Sequence, residues 1–270
     1  MKKLMLTLGF AALCGAVLPA HAAIESDTVG YSSVTIDKQY AILAVNFNNV
    51  TGSALSIQDA IPYVNGMTQG SASSVADNIQ IMQADGTYKI YYMSNGKVGK
   101  TTYDTAGKWV CNDDRTVATS DTISSGTAFW YISQNGATTP YKISVAGKVL
   151  STTSDSQEIS QTYMLVASPY PVAIPLNDCV VITEGATQGS ASSVADNIQI
   201  MQDDGTYKIY YMSNGKVGKT TYDTVGKWVC NDDRTVATTD TFPVGKGAWF
   251  VSQKASATLK FVNPTATTEE

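Results

Sequence analysis

The chain has 270 residues, of which 43% are hydrophobic and 15% charged, and its formal net charge is −5. This composition is typical of a globular protein and excludes a disordered, collagen-like or coiled-coil chain. The length suits about two domains. The single histidine, His21, excludes most histidine-dependent chemistry.

The first 22 residues have the pattern of a secretory signal peptide. Lys2 and Lys3 precede an apolar run at positions 4–13, and the segment ends with Ala20-His21-Ala22. A charged start, a short apolar run and a small-residue site, in that order, are typical of export. We therefore predict cleavage after Ala22 and expect the mature protein in the periplasm, on the cell surface or outside the cell.

Cleavage would also change the charge of the protein. It removes two of the 18 basic residues and none of the 23 acidic ones, so the mature net charge is −7. Arg115 and Arg234 are the only arginines, and an acidic chain of this kind offers no basic patch to nucleic acid or anionic lipid. No second apolar run follows, so we expect no nucleic-acid partner and no integral membrane segment in the mature form.

The mature sequence is a tandem duplication with an offset of 119 residues. Residues 68–122 and 187–241 differ at only three pairs of positions, Ala84/Asp203, Ala106/Val225 and Ser120/Thr239. A repeat of this length corresponds to a whole domain rather than to a solenoid repeat. We predict a signal peptide over residues 1–22, a first β domain over 23–149 and a second over 150–270. The join is expected in the polar stretch 150–158, which lacks strand-like alternation.

Apolar residues within each copy recur with a period of two, which predicts β-strands. The runs Asn78–Met82 and Thr87–Met93 flank Asp85-Gly86 and predict a hairpin. Further predicted strands are Ser33–Asp37, Tyr40–Phe47, Lys108–Cys111, Phe129–Ser133 and Tyr141–Val145. Helical turns are predicted only at Ser56–Ile61 and Ala72–Ala76. The predicted fold is all-β: two tandem antiparallel β-sandwich or barrel-like domains after a cleaved signal peptide.

Several elements follow one another in a recognisable order. A strand at positions 40–47 comes first, followed by Asp77-Asn78-Ile79-Gln80, a tyrosine-rich strand, a lone tryptophan at Trp109 and a closing Gly-x-x-Phe/Ala-Trp-Tyr/Phe-Ile/Val-Ser element. In this arrangement the chain resembles exported bacterial β-rich tandem-repeat domain proteins of unknown function. The resemblance covers most of both copies. It implies a β-rich fold and export, and it implies no catalytic residue.

Two short motifs suggest enzyme chemistry but lack the context that it needs. Gly99-Lys100-Thr101 looks like the end of a phosphate-binding loop, yet the glycine required five residues earlier is Ser94. Ser94 and Lys97 match a Ser-x-x-Lys pattern that requires a helix, whereas Asn95-Gly96 between them favours a hairpin. We therefore expect no catalytic residue and a protein that is not an enzyme.

The acidic motif Asn112-Asp113-Asp114-Arg115 recurs at positions 231–234. A local ion pair in a turn is the main interpretation, and calcium bound by these oxygens together with backbone carbonyls is the alternative. The mature chain has neither a histidine nor a Cys-x-x-Cys motif, which makes a zinc site unexpected. The sequence predicts neither a bound metal nor another cofactor.

Three cysteines remain after cleavage, an odd number for an exported protein. Cys111 and Cys230 are equivalent, whereas Cys179 stands where the first copy has Ala60. A disulfide between Cys179 and Cys230 is predicted, which would leave Cys111 free to join two molecules. Three buried, unpaired thiols are the alternative.

Aromatic residues recur in both copies and are candidates for sugar stacking. Tyr91 and Tyr92 point to opposite faces of one strand, so at least one of them is expected outside the core. The candidate ligand-binding residues are Tyr91, Tyr103, Trp109, Tyr210, Tyr222 and Trp228. Ordinary core and rim packing of these rings is the main interpretation, and sugar stacking is the alternative.

Together these features predict a non-catalytic, exported structural or adhesive protein of the cell envelope or exterior, built from a duplicated β domain. The alternative is a two-site carbohydrate-binding module that uses exposed aromatic residues and gains avidity from duplication. A surface glycan and like subunits are the partners considered.

Overall fold

The computed structural model describes residues 28–266, so the predicted signal peptide lies outside the described range. Unit 1 denotes residues 28–149 below, and unit 2 denotes residues 150–266. The described chain is all-β with a few short helical turns, which confirms the predicted fold class.

The elements of unit 1 are β1 (Val29–Ile36), β2 (Tyr40–Ala44), β3 (Leu55–Ser56), α1 (Ile57–Ala60), a 3-10 turn (Ser73–Val75), β4 (Asn78–Met82), β5 (Tyr88–Met93), β6 (Lys97–Val98), β7 (Thr101–Thr102), β8 (Trp109–Cys111), β9 (Thr122–Ile123), β10 (Ala128–Ile132) and β11 (Tyr141–Lys148). The elements of unit 2 are β12 (Ser154–Ile159), β13 (Tyr163–Val166), β14 (Ile174–Pro175), α2 (Leu176–Cys179), β15 (Val180–Glu184), a 3-10 turn (Ser192–Val194), β16 (Asn197–Met201), β17 (Tyr207–Met212), β18 (Lys216–Val217), β19 (Thr220–Thr221), β20 (Trp228–Cys230), β21 (Thr241–Phe242), β22 (Ala248–Val251) and β23 (Ala257–Val262).

Each unit is built on a five-stranded antiparallel sheet. The strand order is β2-β10-β4-β5-β8 in unit 1 and β13-β22-β16-β17-β20 in unit 2. The predicted hairpin joins β4 to β5, where the Asp85 carboxylate accepts a hydrogen bond from the Thr87 N–H at 2.9 Å. Gly86 has φ +84°, a left-handed conformation that glycine adopts without steric cost.

A smaller sheet forms the second layer of each unit, which gives a sandwich. In unit 1 it contains β1 and β11, and in unit 2 it has the order β12-β23-β15. The copies differ because unit 1 has Pro62 where unit 2 has Val181 in β15, and proline lacks the N–H that a strand ladder needs. Two short two-stranded ribbons complete each unit. They are β3–β9 and β6–β7 in unit 1, and β14–β21 and β18–β19 in unit 2.

The hydrophobic core lies between the two layers. Trp109 and Trp228 are its largest side chains and are almost fully buried. Their indole N–H groups donate to the carbonyl oxygens of Ile61 and Val180, each at 2.6 Å. Every polar atom of these two rings is therefore satisfied inside the core.

The polar stretch 150–158, in which the join is expected, contains a strand that the sequence pattern did not indicate. The stretch 150–158 was expected to lack a strand, but β12 begins at Ser154 and pairs with β23 along its whole length. β12 is an edge strand in which only Ile159 is buried. Almost all of its residues are polar, so the sequence shows no alternation of apolar and polar residues by which the strand could be predicted.

A second correction concerns Tyr91 and Tyr92, which are 3% and 0% exposed although they point to opposite faces of β5. Tyr91 belongs to the core between the layers. Tyr92 packs with Ala76 and Val110 on the other face, and its hydroxyl donates to the Ser71 carbonyl at 3.2 Å. The segment around the 3-10 turn covers this face, so both rings are enclosed.

Candidate functional site

The structure does not gather the predicted aromatic residues into a platform. The side chains of Tyr91, Trp109, Tyr210 and Trp228 are at most 3% exposed, so their rings have no surface to offer a sugar. This part of the predicted ligand-binding set is wrong because the rings fill the two cores. Tyr103 and Tyr222 are half-buried and lie on the loops that follow β7 and β19.

The buried tyrosines instead take part in an ion-pair cluster that is repeated in both units. The Asp121 carboxylate lies 2.8 Å from the Lys89 ammonium and accepts a hydrogen bond from the Tyr91 hydroxyl at 2.7 Å. The hydrogen bond from Lys89 lowers the pKa of Asp121. Burial is the main cause of the raised pKa of Tyr91. These charges pair with one another, so the cluster braces β5 against the loop before β9.

The predicted disulfide between Cys179 and Cys230 is not formed in the structure, where both thiols are free and buried. Both residues belong to the core of unit 2. Burial raises the pKa of Cys179, which disfavours the reactive thiolate. Cys111 is half-buried and also free.

A different surface has the chemistry of a recognition site. Unit 2 contains an open groove of about 340 Å³ along the outer face of its five-stranded sheet, beside the exposed ring of Tyr163. Its lining residues are Thr162, Tyr163, Ser192, Ser193, Asn197, Gln199, Val251, Ser252 and Gln253. All of these side chains are uncharged, and most end in an amide or a hydroxyl.

Unit 1 carries nearly the same set at equivalent positions. Tyr40 occupies the position of Tyr163, and the two rings are 49% and 59% exposed. The other equivalents are Gln39, Ser73, Ser74, Asn78, Gln80, Ile132, Ser133 and Gln134. We call the residues around Tyr163 groove 2 and the equivalent residue set around Tyr40 groove 1.

The amides of the grooves are held in fixed orientations. In groove 2 the Asn197 side-chain N–H donates to the Ser192 carbonyl at 3.0 Å, and Gln199 donates to the Asn197 side-chain oxygen at 2.9 Å. Asn78 and Gln80 make the same two contacts in groove 1, at 3.0 and 3.2 Å. Each chain of bonds occupies the donors of the asparagine and orients the next glutamine, which is the preorganisation that a binding site needs.

A fully buried aspartate lies beneath each groove. Asp196 accepts the backbone N–H of Gln253 at 2.7 Å in unit 2, and Asp77 accepts that of Gln134 at 2.8 Å in unit 1. The glutamine side chains also donate to a backbone carbonyl at the end of the 3-10 segment. The aspartate thus joins the end of strand β10 or β22 to the loop that forms the groove wall.

The other motifs from the sequence contribute no site in the described residues. The Asp114 side chain closes a turn by accepting the N–H and hydroxyl of Thr116, and Asp233 does the same with Thr235. Within residues 28–266 no group of three or more acidic, cysteine or histidine side chains could hold a metal ion. No helix in that range is long and apolar enough to cross a membrane.

The chain was compared with protein-family models, curated proteins and solved structures. No family model, no curated protein and no solved structure matches the chain.

Tyr40 and Tyr163 were missed among the candidate binding residues, although both appear in the sequence at the start of a predicted or observed strand. They lie outside the near-identical block, and their offset is 123 residues rather than 119. A comparison of the two copies at a single offset therefore does not align them. The signal that could have found them is the shared alternation of Tyr40-Ala41-Ile42 and Tyr163-Met164-Leu165.

Proposed function

We propose that this protein is a non-catalytic, exported adhesive protein of the cell exterior that binds neutral glycans in grooves 1 and 2. The observation that carries the proposal is the groove of unit 2, where an exposed tyrosine lies beside ordered amides and hydroxyls, together with the equivalent residues around the exposed Tyr40 in unit 1. Export and the absence of catalysis in this proposal rest on the signal-like segment and on the motifs of the sequence.

The chemistry of the grooves suits a sugar. The face of a tyrosine ring packs against the apolar face of a pyranose, and it keeps a polar edge for solvent or ligand. Glutamine and serine side chains supply donors and acceptors at the positions where sugar hydroxyls would lie. Because the lining side chains of groove 2 carry no formal charge, this groove favours neutral glycans over uronic or sialic acid polymers.

Duplication strengthens such an interaction. Two weak sites on one chain bind a multivalent surface with an avidity that can exceed either affinity by a factor of about 10² or more without any new contact. Adhesion to a glycan-coated surface benefits from this behaviour, since groove 2 is open. A role as an adhesive component and a role as a two-site sugar binder therefore describe one activity.

A glycan array tests the proposal, with the wild-type protein and a variant that carries both Tyr40→Ala and Tyr163→Ala. We expect the wild type to retain neutral glycans and the double variant to lose about tenfold or more in affinity, the effect of one good stacking contact. The matched control is Tyr31→Ala, because Tyr31 is 79% exposed on β1 outside both grooves. Equal glycan retention by the double variant and the Tyr31→Ala control contradicts the proposal. So does a wild type that retains no neutral glycan.

A further inference from the structure

The two units pack against each other, and a loop of unit 2 covers strand β2 of unit 1. The N–H of Ala44 donates to the Gly245 carbonyl at 3.0 Å. Asn46, which is 1% exposed, donates from its side chain to the Ser168 carbonyl at 2.6 Å and accepts the Gly245 N–H at 2.9 Å. These bonds hold the loop of Gly245 beside β2.

A cavity of about 290 Å³ lies next to this contact, between the two units. Unit 1 lines it with residues 33–38 and 40–43, and unit 2 lines it with residues 201–203, Val244, Lys246 and Gly247. No residue of β11 lines the cavity, so it borders the edge of β1 that faces away from β11. Its volume is near the lower end of the range for ligand sites.

The peptide groups along this edge of β1 have no strand partner in the described chain. β1 pairs only with β11, and the Val149 N–H donates to the Thr28 carbonyl at 2.9 Å at the start of that ladder. Because bonded and non-bonded pairs alternate along antiparallel strands, the peptide groups of Ser33 and Thr35 point away from β11. Such an edge offers donors and acceptors to an added strand.

Apolar side chains accompany the free edge. Val34 is half-buried and points to the opposite face of β1 from the exposed Ser33 and Thr35. Ile42 of β2 and Met201 of unit 2 also line the cavity. An added strand would therefore have an apolar surface on one face and solvent on the other, which suits alternating apolar and polar residues.

The charged residues of the lining balance one another. They are Asp37, Lys38, Asp203 and Lys246, and the Lys246 ammonium lies 3.0 Å from the Asp203 carboxylate. Two positive and two negative charges give the cavity no electrostatic preference for a strongly charged ligand.

Two glutamine side chains bridge the units at the equivalent position on the other side of the interface. Gln157 of unit 2 donates to the Gly126 carbonyl of unit 1 at 2.7 Å. Gln161 of unit 2 donates to the Ala84 carbonyl of unit 1, also at 2.7 Å. Side-chain amides thus occupy the space between β12 and unit 1.

The cavity lies where unit 1 lacks these glutamines. Val34 stands at the position of Gln157, and Lys38 stands at the position of Gln161. Valine has no side-chain donor with which to bridge the units. The two copies therefore differ at the residues that determine whether the edge of the strand is bridged or open.

We infer that this cavity is a peptide-binding site, in which a short extended segment with alternating apolar and polar residues pairs with the free edge of β1. The backbone of the segment bonds to Ser33 and Thr35, and its apolar side chains pack against Val34 and Met201. A peptide suits this edge better than a glycan, because its N–H and C=O groups repeat at the spacing of a strand. The inference does not rest on the proposed sugar grooves, although Tyr40 belongs both to groove 1 and to the lining of the cavity.

Backbone pairing is tested on an array of blocked pentapeptides in which Thr or Ser alternates with Val, Ile or Leu. We expect the wild type to bind members of the array and Thr35→Pro to bind them at least about tenfold more weakly. Proline removes an N–H that has no partner in β11, so the strand itself is retained. The matched control is Tyr31→Pro, which removes another N–H of the same edge outside the cavity and should leave the affinity unchanged. Equal affinity of Thr35→Pro and wild type, or no binding to any peptide by the wild type, overturns the inference.

The place of binding is tested by giving unit 1 the residues of unit 2. In a variant with Val34→Gln and Lys38→Gln, the two amides should bridge to unit 2 and lower the peptide affinity by about tenfold or more. If the double variant does not fold, Lys38→Gln alone gives the same comparison. Undiminished peptide affinity places the peptide elsewhere and overturns the inference. Loss of the proposed glycan binding on the glycan array would not change either peptide result, so the two proposals fail separately.

Discussion

Grooves 1 and 2 are formed by almost the same residues, yet they rest on different buried contacts. Beneath groove 1, Asp77 accepts the hydroxyl of Tyr131 at 3.0 Å and that of Tyr141, in addition to the Gln134 N–H. Beneath groove 2, Phe250 and Ala257 stand at the positions of the two tyrosines. Asp196 takes the backbone N–H of Thr187 at 2.7 Å in place of these hydroxyls.

This difference distinguishes the aspartate contact that supports the groove in both units from the aspartate contacts that vary between the two cores. In both units the aspartate accepts a hydrogen bond from the backbone N–H of the glutamine, Gln134 or Gln253, and this contact holds the groove wall. The remaining acceptor capacity of the carboxylate is filled by side chains in one unit and by backbone in the other. Burial is the main cause of the raised pKa of both Tyr131 and Tyr141, so both hydroxyls remain protonated donors to Asp77.

Of the changes suggested by this comparison, removal of the two aspartates should have the largest effect on the free energy of unfolding. Asp77→Ala leaves two tyrosine hydroxyls and one N–H without their acceptor, and we expect it to lower the free energy of unfolding by about 3 kcal/mol or more. Asp196→Ala leaves two N–H groups and should cost about 2 kcal/mol. Urea unfolding of the full chain measures both values. A loss at Asp196 that equals or exceeds the loss at Asp77 contradicts the assignment of the extra bonds.

A smaller effect is expected when unit 1 is given the residue of unit 2. Tyr131→Phe removes one donor to Asp77, which keeps Tyr141 and Gln134, so the cost should be about 1 kcal/mol. In the Asp77→Ala background the same change should cost less, because the carboxylate is gone and the Tyr141 hydroxyl, 3.0 Å away, is the partner that remains for the Tyr131 hydroxyl. A double-mutant cycle gives the coupling between the two residues. Additive losses would show that the Tyr131 hydroxyl does not depend on Asp77.

The smallest effect should be the same in both units, because the cluster of Lys89, Tyr91 and Asp121 is repeated as Lys208, Tyr210 and Asp240. The lysine lowers the pKa of the aspartate in each. A lowered folded-state pKa stabilises the protein above the unfolded value of about 3.9, and this contribution is lost as the pH falls through the folded value.

Each pair is roughly 40% exposed, so its contribution at pH 7 should be about 1 kcal/mol or less. Asp121→Asn and Asp240→Asn should therefore cause similar small losses at neutral pH and almost none at pH 2. Thermal unfolding at the two pH values checks this prediction. A loss that persists undiminished at pH 2 would mean that the carboxylate charge is not its source.

The sequence was sufficient for the central strands β4 and β5 because their residues alternate with a clear period. The predicted strands at 78–82 and 87–93 agree with β4 and β5, and the helical turn near Ser56 is present as α1. β12 was missed because an edge strand with one buried residue carries no apolar pattern. The enclosure of Tyr92 was missed because it depends on a loop that folds back over the sheet, which no local pattern encodes.

The candidate site was harder to predict because it also depends on contacts between distant segments, which no local pattern encodes. Alternation assigns Tyr91 and Tyr92 to opposite faces, but it does not show that both faces are covered. The residues of groove 1 come from four segments, at β2, the 3-10 turn, β4 and the end of β10, and the sheet register brings the three strands together. The inter-unit role of Asn46 is likewise invisible in sequence, because its partners Ser168 and Gly245 lie 122 and 199 residues away.

The central claim, that one chain has two equivalent sugar-binding grooves, is tested most directly by the binding stoichiometry. Isothermal titration with a short neutral oligosaccharide retained on the array should give two sites per wild-type chain. Tyr40→Ala and Tyr163→Ala should each leave one site, and the double variant should leave none. Two sites that persist in the double variant, or a single site in the wild type, would contradict the claim.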